Sequence, residues 1–290
     1  MDQKNIPPFH PKKSWGQNFL IDSNIARKIV DPSFVSSGDL VVEIGPGKGI
    51  LTEILLKMGA RVLAIEIDPK LADILLPAFS SDPNFNLVLA DACRYPYQNI
   101  KEPFKVISNL PYNISTPILF RLLEERDHLA GMILMVQKEV ADRLTAPVGS
   151  KQYGALSVLF QSLADVRIAF TVSPQCFRPR PDVVSAVIKV TIPLQEKVIL
   201  KDRRFLGTVV KAAFSHRRKF LNNALADAGF TSHTLSELFQ TTGIDPRRRA
   251  ETLSISEFAL MANQLYDLLP PNYVTLISKD NRCPERSLFG

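Results

Sequence analysis

The stretch that most constrains the fold is an apolar run followed by a turn with three glycines. Leu40 to Ile44 is predicted as a buried strand, and a helix follows through Leu55, Leu56 and Met58. Between them lies Gly45-Pro46-Gly47-Lys48-Gly49. Glycine accepts positive φ and carries no side chain, so such a turn lets a ligand approach bare backbone at a helix N-terminus. The pattern predicts the opening strand and helix of a parallel α/β sheet.

The spacing of these glycines favours one of two ligand classes. A dinucleotide-binding turn that uses Gly45 and Gly47 requires Gly or Ala at position 50, which is Ile50 here. The run from Glu43 to Gly49 resembles instead the E-x-G-x-G-x-G loop of S-adenosylmethionine-dependent methyltransferases. A nicotinamide-dependent dehydrogenase stays open as the alternative at this point.

Two further predicted strands end in acidic residues. Arg61 to Ile67 carries Glu66 at its end, and Asn86 to Ala90 is followed by Asp91. Open parallel sheets bind ligands at the carboxyl ends of their strands. We therefore assign Glu66 to the ribose hydroxyls of a nucleoside cofactor and Asp91 to its adenine amine. Asp68, which precedes a proline, is the expected cap of the next helix.

A fourth predicted strand, Phe104 to Ser108, leads into Asn109-Leu110-Pro111-Tyr112. An amide both donates and accepts hydrogen bonds, Pro111 stiffens the corner, and Tyr112 offers a flat face to a base. The four residues resemble the Asn-Leu-Pro-Tyr motif of adenine N6-methyltransferases that act on RNA. In that motif the Asn side chain and the next carbonyl accept hydrogen bonds from N6, and the Tyr stacks on adenine. The alternative is a structural loop in which Asn109 caps the next helix.

A second loop joins two predicted closing strands, Val166 to Val172 and Val183 to Ile192, and it contains Phe177-Arg178-Pro179-Arg180-Pro181. We expect Phe177 to cover the second face of the target base. Arg178 and Arg180 are expected to contact phosphates. The alternative is a proline-braced hairpin loop with incidental charge.

Positive charge is concentrated in one part of the chain. The net charge is +6, and residues 197–249 contain eleven basic and four acidic residues. Such a local excess favours a polyanionic partner. A helix is predicted from Arg203 to Ala228, and Ser254 with Glu257 predicts a capping box for the last helix. The candidate RNA contacts in this region are Arg217, Arg218, Lys219, Arg247 and Arg248; a solvated charged face is the alternative.

Composition argues against several other classes of protein. The three cysteines, Cys93, Cys176 and Cys283, are scattered, and the four histidines are dispersed, so we expect neither a metal site nor a disulfide. No apolar run approaches the ~18 residues of a membrane helix. The first residues lack the apolar segment of a signal peptide. We expect a cytoplasmic protein without membrane attachment.

Together these motifs resemble those of one family, the small-subunit ribosomal RNA adenine N6,N6-dimethyltransferases, or kasugamycin-sensitivity family. The residues that carry the resemblance are Gly16 to Leu20, Glu43 to Gly49, Glu66 to Asp68, Asp91-Ala92, Asn109 to Tyr112, Gln137 to Ala141, Tyr153-Gly154, Phe177 to Ser185 and Phe214 to Asn222. Two features depart from the family pattern. Trp15 stands where Leu or Phe is commoner, and residues 271–290 extend past the motifs.

The resemblance implies a fold and a set of site residues. The implied fold is an α/β, Rossmann-like methyltransferase domain with a seven-stranded mixed sheet over residues 18–193, and a helical RNA-binding domain over 194–270. Residues 1–17 would be an arm and 271–290 a tail. By resemblance, the cofactor-binding residues are Asn18, Leu20, Gly45, Gly47, Glu66, Ile67, Asp91, Ala92 and Asn109. The implied catalytic residues are Asn109, Leu110, Pro111, Tyr112 and Phe177.

The resemblance also implies a reaction. With S-adenosylmethionine as methyl donor, a monomer would dimethylate two adjacent adenosines in a 3′-terminal hairpin loop of small-subunit (16S) rRNA within a 30S assembly particle. Two alternatives stay open. Large-subunit (23S) rRNA adenine N6-methyltransferases usually have Ile where this chain has Leu110. A non-catalytic RNA-binding assembly factor would not need Gly45, Glu66, Asp91 and Asn109, which are all present.

Overall fold

In the computed structural model, which describes residues 17–270, the contacts of the chain divide into two units. The first contains residues 17–141 and 166–192, and the second contains residues 142–165 and 193–270. The sequence-based boundary near residue 193 assigns 142–165 to the first unit. In the structure Tyr153 of this segment is buried in the helical core, and its hydroxyl donates to the carbonyl of Leu253 at 3.0 Å.

The chain forms nine strands and ten α-helices within the described range. The strands are β1 (Phe19–Leu20), β2 (Leu40–Ile44), β3 (Arg61–Glu66), β4 (Phe85–Leu89), β5 (Phe104–Asn109), β6 (Leu129–Gln137), β7 (Asp165–Val172), β8 (Phe177–Arg178) and β9 (Ser185–Thr191). The helices are α1 (Ser23–Ile29), α2 (Ile50–Lys57), α3 (Pro69–Phe79), α4 (Ser115–Leu123), α5 (Lys138–Leu144), α6 (Ala155–Gln161), α7 (Arg203–Phe214), α8 (Leu221–Asp227), α9 (Ser232–Thr242) and α10 (Ile255–Leu268).

Seven of the strands form one mixed sheet in the order β4-β3-β2-β5-β6-β9-β7. Neighbouring strands from β4 to β6 are parallel, and β9 is antiparallel to β6. The central strands are buried apolar runs, as expected for a sheet covered on both faces. The predicted Rossmann-like fold is confirmed. Because the strand order reverses between β2 and β5, a ligand crevice is expected at their carboxyl ends.

Side-chain caps start two helices of the first unit, and the one at Asp68 is as predicted. Asp68 accepts from the backbone amide of Lys70 at the start of α3, with Pro69 in the first turn. Asp22 caps α1 by accepting from the amides of Asn24 and Ile25. These caps fix where the chain turns after β1 and after β3.

The remaining two strands, β1 and β8, form a separate two-stranded ribbon. Phe19 is opposite Arg178, and Leu20 is opposite Phe177. The backbone amide of Ile21 extends the pairing by donating to the carbonyl of Cys176 at 2.8 Å. The sequence predicts no strand here, because a two-residue strand depends on a partner that is distant along the chain.

The second unit is helical, and its longest predicted helix is interrupted. The prediction of one helix from Arg203 to Ala228 is wrong, because α7 ends at Phe214 and α8 begins at Leu221. The hydroxyl of Ser215 donates to a carbonyl of the last turn of α7, a bond that competes with helix continuation. The amide of Leu221 donates to the carbonyl of Arg248 at 2.8 Å, which fixes the new helix start. The predicted capping box of Ser254 and Glu257 at α10 is confirmed.

Within residues 17–270, no helix is both long enough and apolar enough to span a membrane. Over the same range, no group of three or more His, Cys, Asp or Glu side chains could hold a metal ion. Most of the predicted arm (1–16), the tail (271–290) and Cys283 lie outside the described residues.

Candidate active site

The glycine turn after β2 lies directly against the corner after β5. Gly45 and Gly47 have φ values of +62° and +60°, a region that other residues rarely adopt. A Cβ atom added at Gly45 would lie 3.4 Å from the ring of Pro111, and one at Gly47 would lie 2.9 Å from the ring of Phe19. Two motifs that are more than 60 residues apart in sequence therefore share one edge of the sheet.

The carboxyl group of Glu66 lies buried at the end of β3. Its Oε1 accepts from the backbone amides of Ile67 and Asp68, at 2.9 Å each. Burial raises the pKa of Glu66, while these amides and a hydrogen bond from the backbone of Gly47 act to lower it. Ile67 exposes half of its side chain beside this carboxyl. The arrangement offers a fixed acidic acceptor next to an apolar face, as a bound nucleoside requires.

Asp91 lies two residues after the end of β4, the strand adjacent to β3. Its Oδ1 accepts from the amide of Cys93 at 2.9 Å, and its side chain is 38% exposed. The following residue, Ala92, is buried. The carboxylate is thus oriented by its own turn while part of it is accessible. Its assignment to an adenine amine stays a prediction.

Asn109 ends β5 with one satisfied and one unsatisfied polar atom. Its Nδ2 donates to the carbonyl oxygen of Asn18 at 3.1 Å. A carbonyl can only accept, so this bond fixes which way the amide faces. Its Oδ1 is buried and has no hydrogen-bond partner among the described residues. Buried polar atoms are nearly always paired, so this acceptor is available to a donor that the described residues do not supply.

The rest of the corner is held by neighbouring strands. The amide of Leu110 donates to the carbonyl of Met135 at 3.1 Å, and the side chain of Leu110 is buried. The hydroxyl of Tyr112 lies 2.5 Å from Oγ of Ser185, which is itself buried. The alternative in which Asn109 caps the next helix is wrong, because Ile114 occupies the N-cap position of α4.

Phe177 lies on the ribbon strand β8 with its ring fully buried. It packs in a hydrophobic cluster that also contains Leu20 and Val187. Arg178 and Arg180 are exposed, and Arg178 donates to the carbonyl of Phe177 at 2.9 Å. Covering a base would require the Phe177 ring to become accessible, so that role stays a prediction, as do the phosphate contacts of the two arginines.

Residues 17–20 connect the other parts of the site, and we call them the strap. Nε2 of Gln17 donates to the Asp68 carboxylate at 3.1 Å, Asn18 accepts from Asn109, and the Phe19 ring lies against Gly47. The ammonium of Lys48 lies 5.7 Å from the centroid of the Phe19 ring. The motif resemblance included this segment, but no pattern in the sequence indicated these contacts.

Glu43, in strand β2, is a buried acid that sequence reasoning left without a role. Its Oε2 accepts from the hydroxyl of Thr52 at 2.6 Å. Burial is the main cause that raises the pKa of Glu43 to about 8; hydrogen bonds from Thr52 act to lower this pKa, and the nearby Glu66 carboxyl acts to raise it. The folded protein therefore retains a proton on Glu43 at neutral pH, which spares the site a second buried negative charge beside Glu66.

We expect Glu43→Gln to stabilise the protein relative to wild type increasingly as the pH rises. Between the ordinary pKa of a glutamate and about 8, the unfolded chain releases the proton that folded Glu43 keeps. Wild-type stability therefore falls with rising pH by up to about 1.4 kcal/mol per pH unit. In denaturant unfolding, the free energy of unfolding of the variant relative to wild type should increase by about 1–3 kcal/mol between about pH 5.5 and pH 8. Glu53→Gln, an exposed position on α2, is the control, and a pH-independent difference for Glu43→Gln would contradict the assignment.

The candidate RNA-binding residues of the second unit are mostly paired with acids. Four of the pairs are Arg217 with Glu251, Lys219 with Asp227, Arg247 with Asp245, and Arg248 with Glu257. Arg218 is exposed. Exposed ion pairs contribute little to stability and separate readily, so pairing leaves these side chains able to meet phosphates. Two of the cations are held by further bonds, because Arg217 also donates to the carbonyl of Lys151 and Arg248 also donates to Thr252. The RNA-binding roles of all five residues stay predictions.

Comparison with protein families and with known relatives agrees with this geometry. The model of the ribosomal RNA adenine dimethylase family matches residues 9–267. A ribosomal RNA small subunit methyltransferase A of Moorella thermoacetica is 43% identical over 266 residues, which cover 88% of this chain and 92% of that protein. The protein of the same name from Geobacter metallireducens is 42% identical over 265 residues, covering 89% and 96%.

Two solved structures share the fold. A dimethyladenosine transferase from Plasmodium falciparum superposes with a TM-score of 0.70 at 23% identity, covering 84% of this chain and 95% of that one. The 23S rRNA methyltransferase ErmE superposes with a TM-score of 0.65 at 23% identity, covering 86% and 99%. At this identity the likeness shows the architecture alone.

Proposed function

Since the chain belongs to the ribosomal RNA adenine dimethylase family, we propose that it converts two adjacent adenosines of small-subunit rRNA to N6,N6-dimethyladenosine. The observation that carries the proposal is the buried, unpartnered Oδ1 of Asn109, in the corner that packs on the glycine turn. That atom is placed to accept a hydrogen bond from an amine. The protein is a methyltransferase, and its methyl donor is S-adenosylmethionine.

The residues at the edge of the sheet fit this cofactor. Glu66 offers a buried acceptor for ribose hydroxyls, Asp91 a partly exposed carboxylate for the adenine amine, and Gly45 and Gly47 a turn free of side chains. Asn18 and Leu20 belong to the strap and ribbon that border the same turn. Ile67 and Ala92 adjoin the two acids. We propose these residues as the binding site.

The chemistry of the transfer needs placement more than acid–base catalysis. S-adenosylmethionine supplies a methyl group that its positive sulfonium already activates. The N6 lone pair of adenine is delocalised into the ring and is a weak nucleophile. Hydrogen bonds from N6 to Oδ1 of Asn109 and to the carbonyl of Leu110 favour a more pyramidal nitrogen and stabilise its developing positive charge. Tyr112 would stack on the ring and hold its plane, which would orient N6 for the transfer.

The hydroxyl of Ser185 orients Tyr112, and its removal is expected to lower the rate of transfer. We expect Ser185→Ala to reduce kcat by roughly three- to tenfold, the worth of one hydrogen bond, and to leave cofactor affinity unchanged. Tyr112→Phe removes the other half of the same bond. If both effects come from loss of this bond, the double variant of Ser185→Ala and Tyr112→Phe has the same kcat as Tyr112→Phe alone. Additive losses in steady-state kinetics would refute the coupling.

Methylation of large-subunit rRNA is not favoured. The fold shared with ErmE at 23% identity does not decide the substrate, whereas relatives at 39–43% identity are small-subunit methyltransferases. The presence of Gly45, Glu66, Asp91 and Asn109 in one arrangement also speaks against a non-catalytic assembly factor. We further propose that the protein acts as a cytoplasmic monomer on a 30S assembly particle.

Tritium transfer from S-adenosylmethionine tests the proposed function. Purified protein is incubated with small subunits and with large subunits that lack adenine dimethylation. We expect incorporation into small-subunit rRNA alone, approaching four methyl groups per particle, two on each of two adenosines. Incorporation into the large subunit would identify large-subunit rRNA as the substrate. Incorporation into neither subunit would refute the enzymatic role.

A further inference from the structure

The second unit contains a cavity of about 480 Å³ that the methyl transfer reaction does not use. It lies between α8, α9 and the turn before the last helix. Its walls include Phe220, Asn222, Asn223, Leu235, Phe239 and Arg247. The walls thus combine two aromatic rings, two side-chain amides and one cation, the groups that bind a base, its edge and its phosphate.

Phe220 is one of the large apolar side chains that the second unit leaves exposed. It follows Arg217-Arg218-Lys219 directly, it occupies the N-cap position of α8, and it is 47% exposed. Phe239, on the facing helix, is only partly buried against the core of the unit. An exposed ring next to three cations is typical of surfaces that stack unpaired bases while holding their phosphates.

The polar side chains of the cavity make only weak bonds with one another and can therefore bind a ligand. The amides of Asn222 and Asn223 bond each other at a long 3.4 Å. The Arg247 side chain is 82% exposed and only loosely paired with Asp245, at 3.4 Å. Side-chain amides match the donor and acceptor edges of a base, and a guanidinium matches a phosphate.

The cavity is formed before any ligand arrives. The backbone amide of Leu221 donates to the carbonyl of Arg248, and that of Asn222 donates to the carbonyl of Pro246 at 3.1 Å. These bonds attach the turn that carries Arg247 to the start of α8. A preformed site loses less conformational entropy on binding than one that must be assembled.

We propose that this cavity binds one unpaired nucleotide of the small-subunit rRNA, separate from the adenosines that are methylated. The base stacks on Phe220, the amides of Asn222 and Asn223 meet its edge, and Arg247 meets its phosphate. The inference rests on the proposed function, which supplies the RNA. It adds a base-binding contact to a surface otherwise expected to recognise phosphates only.

The test compares Phe220→Ala with Leu260→Ala in the full-length protein. Leu260 is also 47% exposed and belongs to the same unit, so it controls for loss of an exposed apolar side chain. We expect Phe220→Ala to raise the KM for undimethylated small subunits roughly tenfold, within the range measured for base stacking. We expect cofactor affinity and the rate at saturating substrate to stay at wild-type values, and Leu260→Ala to behave as wild type.

Two further measurements separate stacking from other causes. Phe220→Trp keeps an aromatic ring, so we expect a wild-type KM and fluorescence quenching by protein-free small-subunit rRNA but not by inorganic polyphosphate. Trp15 is the one native tryptophan, and Trp15→Phe removes its signal. An unchanged KM for Phe220→Ala, or weaker binding to particles but not to protein-free rRNA, would overturn the proposal. Wild-type protein that methylates no small subunit would instead refute the proposed function.

Discussion

Asn109→Ala is expected to abolish methyl transfer while cofactor affinity stays within several-fold of wild type. The variant removes the buried Oδ1 acceptor that no other described group satisfies. Removing one preorganised polar group from a transition state typically costs about 100- to 1000-fold in rate. Cofactor affinity is largely spared because Glu66, Asp91 and the glycine turn remain, although the variant also loses the bond from Nδ2 to Asn18.

Single-turnover tritium transfer and calorimetric titration measure the two quantities. Asn113→Ala is the matched control, since Asn113 is an exposed asparagine four residues further along. We expect that control to transfer methyl groups at the wild-type rate. Full methylation by Asn109→Ala would show that Asn109 is not required for methyl transfer. A parallel collapse of cofactor affinity would mean that its bond to Asn18 mainly supports the strap.

Glu66→Ala is expected to weaken cofactor binding by about 1–3 kcal/mol, roughly 5- to 150-fold in Kd. The carboxyl lies buried at the end of β3, oriented by the amides of Ile67 and Asp68. Alanine leaves the ribose hydroxyls without an acidic acceptor and leaves the backbone amides of Ile67, Asp68 and Gly47 without theirs. Both effects reduce affinity, because the loop loses its fixed position as well as its acceptor.

Calorimetry with S-adenosylmethionine or its demethylated product measures the change. Glu66→Gln keeps the shape and one acceptor, so its loss should be smaller than that of the alanine variant. Glu53→Ala, an exposed position on α2, is the control for removal of a glutamate. Unchanged affinity in Glu66→Ala would leave Glu66 with a purely structural role in its loop. Thermal unfolding of each variant shows whether an altered fold contributes.

Local sequence predicted much of the first unit because its signals act over few residues. The β2–turn–α2 pattern, the Asp68 cap of α3 and the corner after β5 all depend on neighbours within one or two turns. The parallel arrangement of β2 to β6 then follows, because consecutive strands joined by a crossover helix favour parallel pairing. Placement of Glu66, Asp91 and Asn109 at one edge follows in turn from parallel pairing.

The interrupted helix of the second unit could not be predicted in the same way. Residues 203–228 carry a helical pattern throughout, yet the chain breaks after Phe214. The break is stabilised by hydrogen bonds from Leu221 and Asn222 to the carbonyls of Arg248 and Pro246. Those partners lie more than 20 residues away, so tertiary contacts override local propensity here. The break is what exposes Phe220 and forms the cavity.

The amino-acid sequence by itself determined the order of strands and helices around the main sheet, the glycine turn, the acids at or just after the ends of β3 and β4, and the Asn-Leu-Pro-Tyr corner. Only the tertiary structure decided that Asn18 fixes the amide of Asn109, that Ser185 holds Tyr112, and that the Phe177 ring is buried. The physical reason is how far apart the interacting groups are along the sequence. Caps and turns are satisfied within a few residues, whereas hydrogen bonds between residues 73 and 91 positions apart exist only once the sheet has brought their segments together.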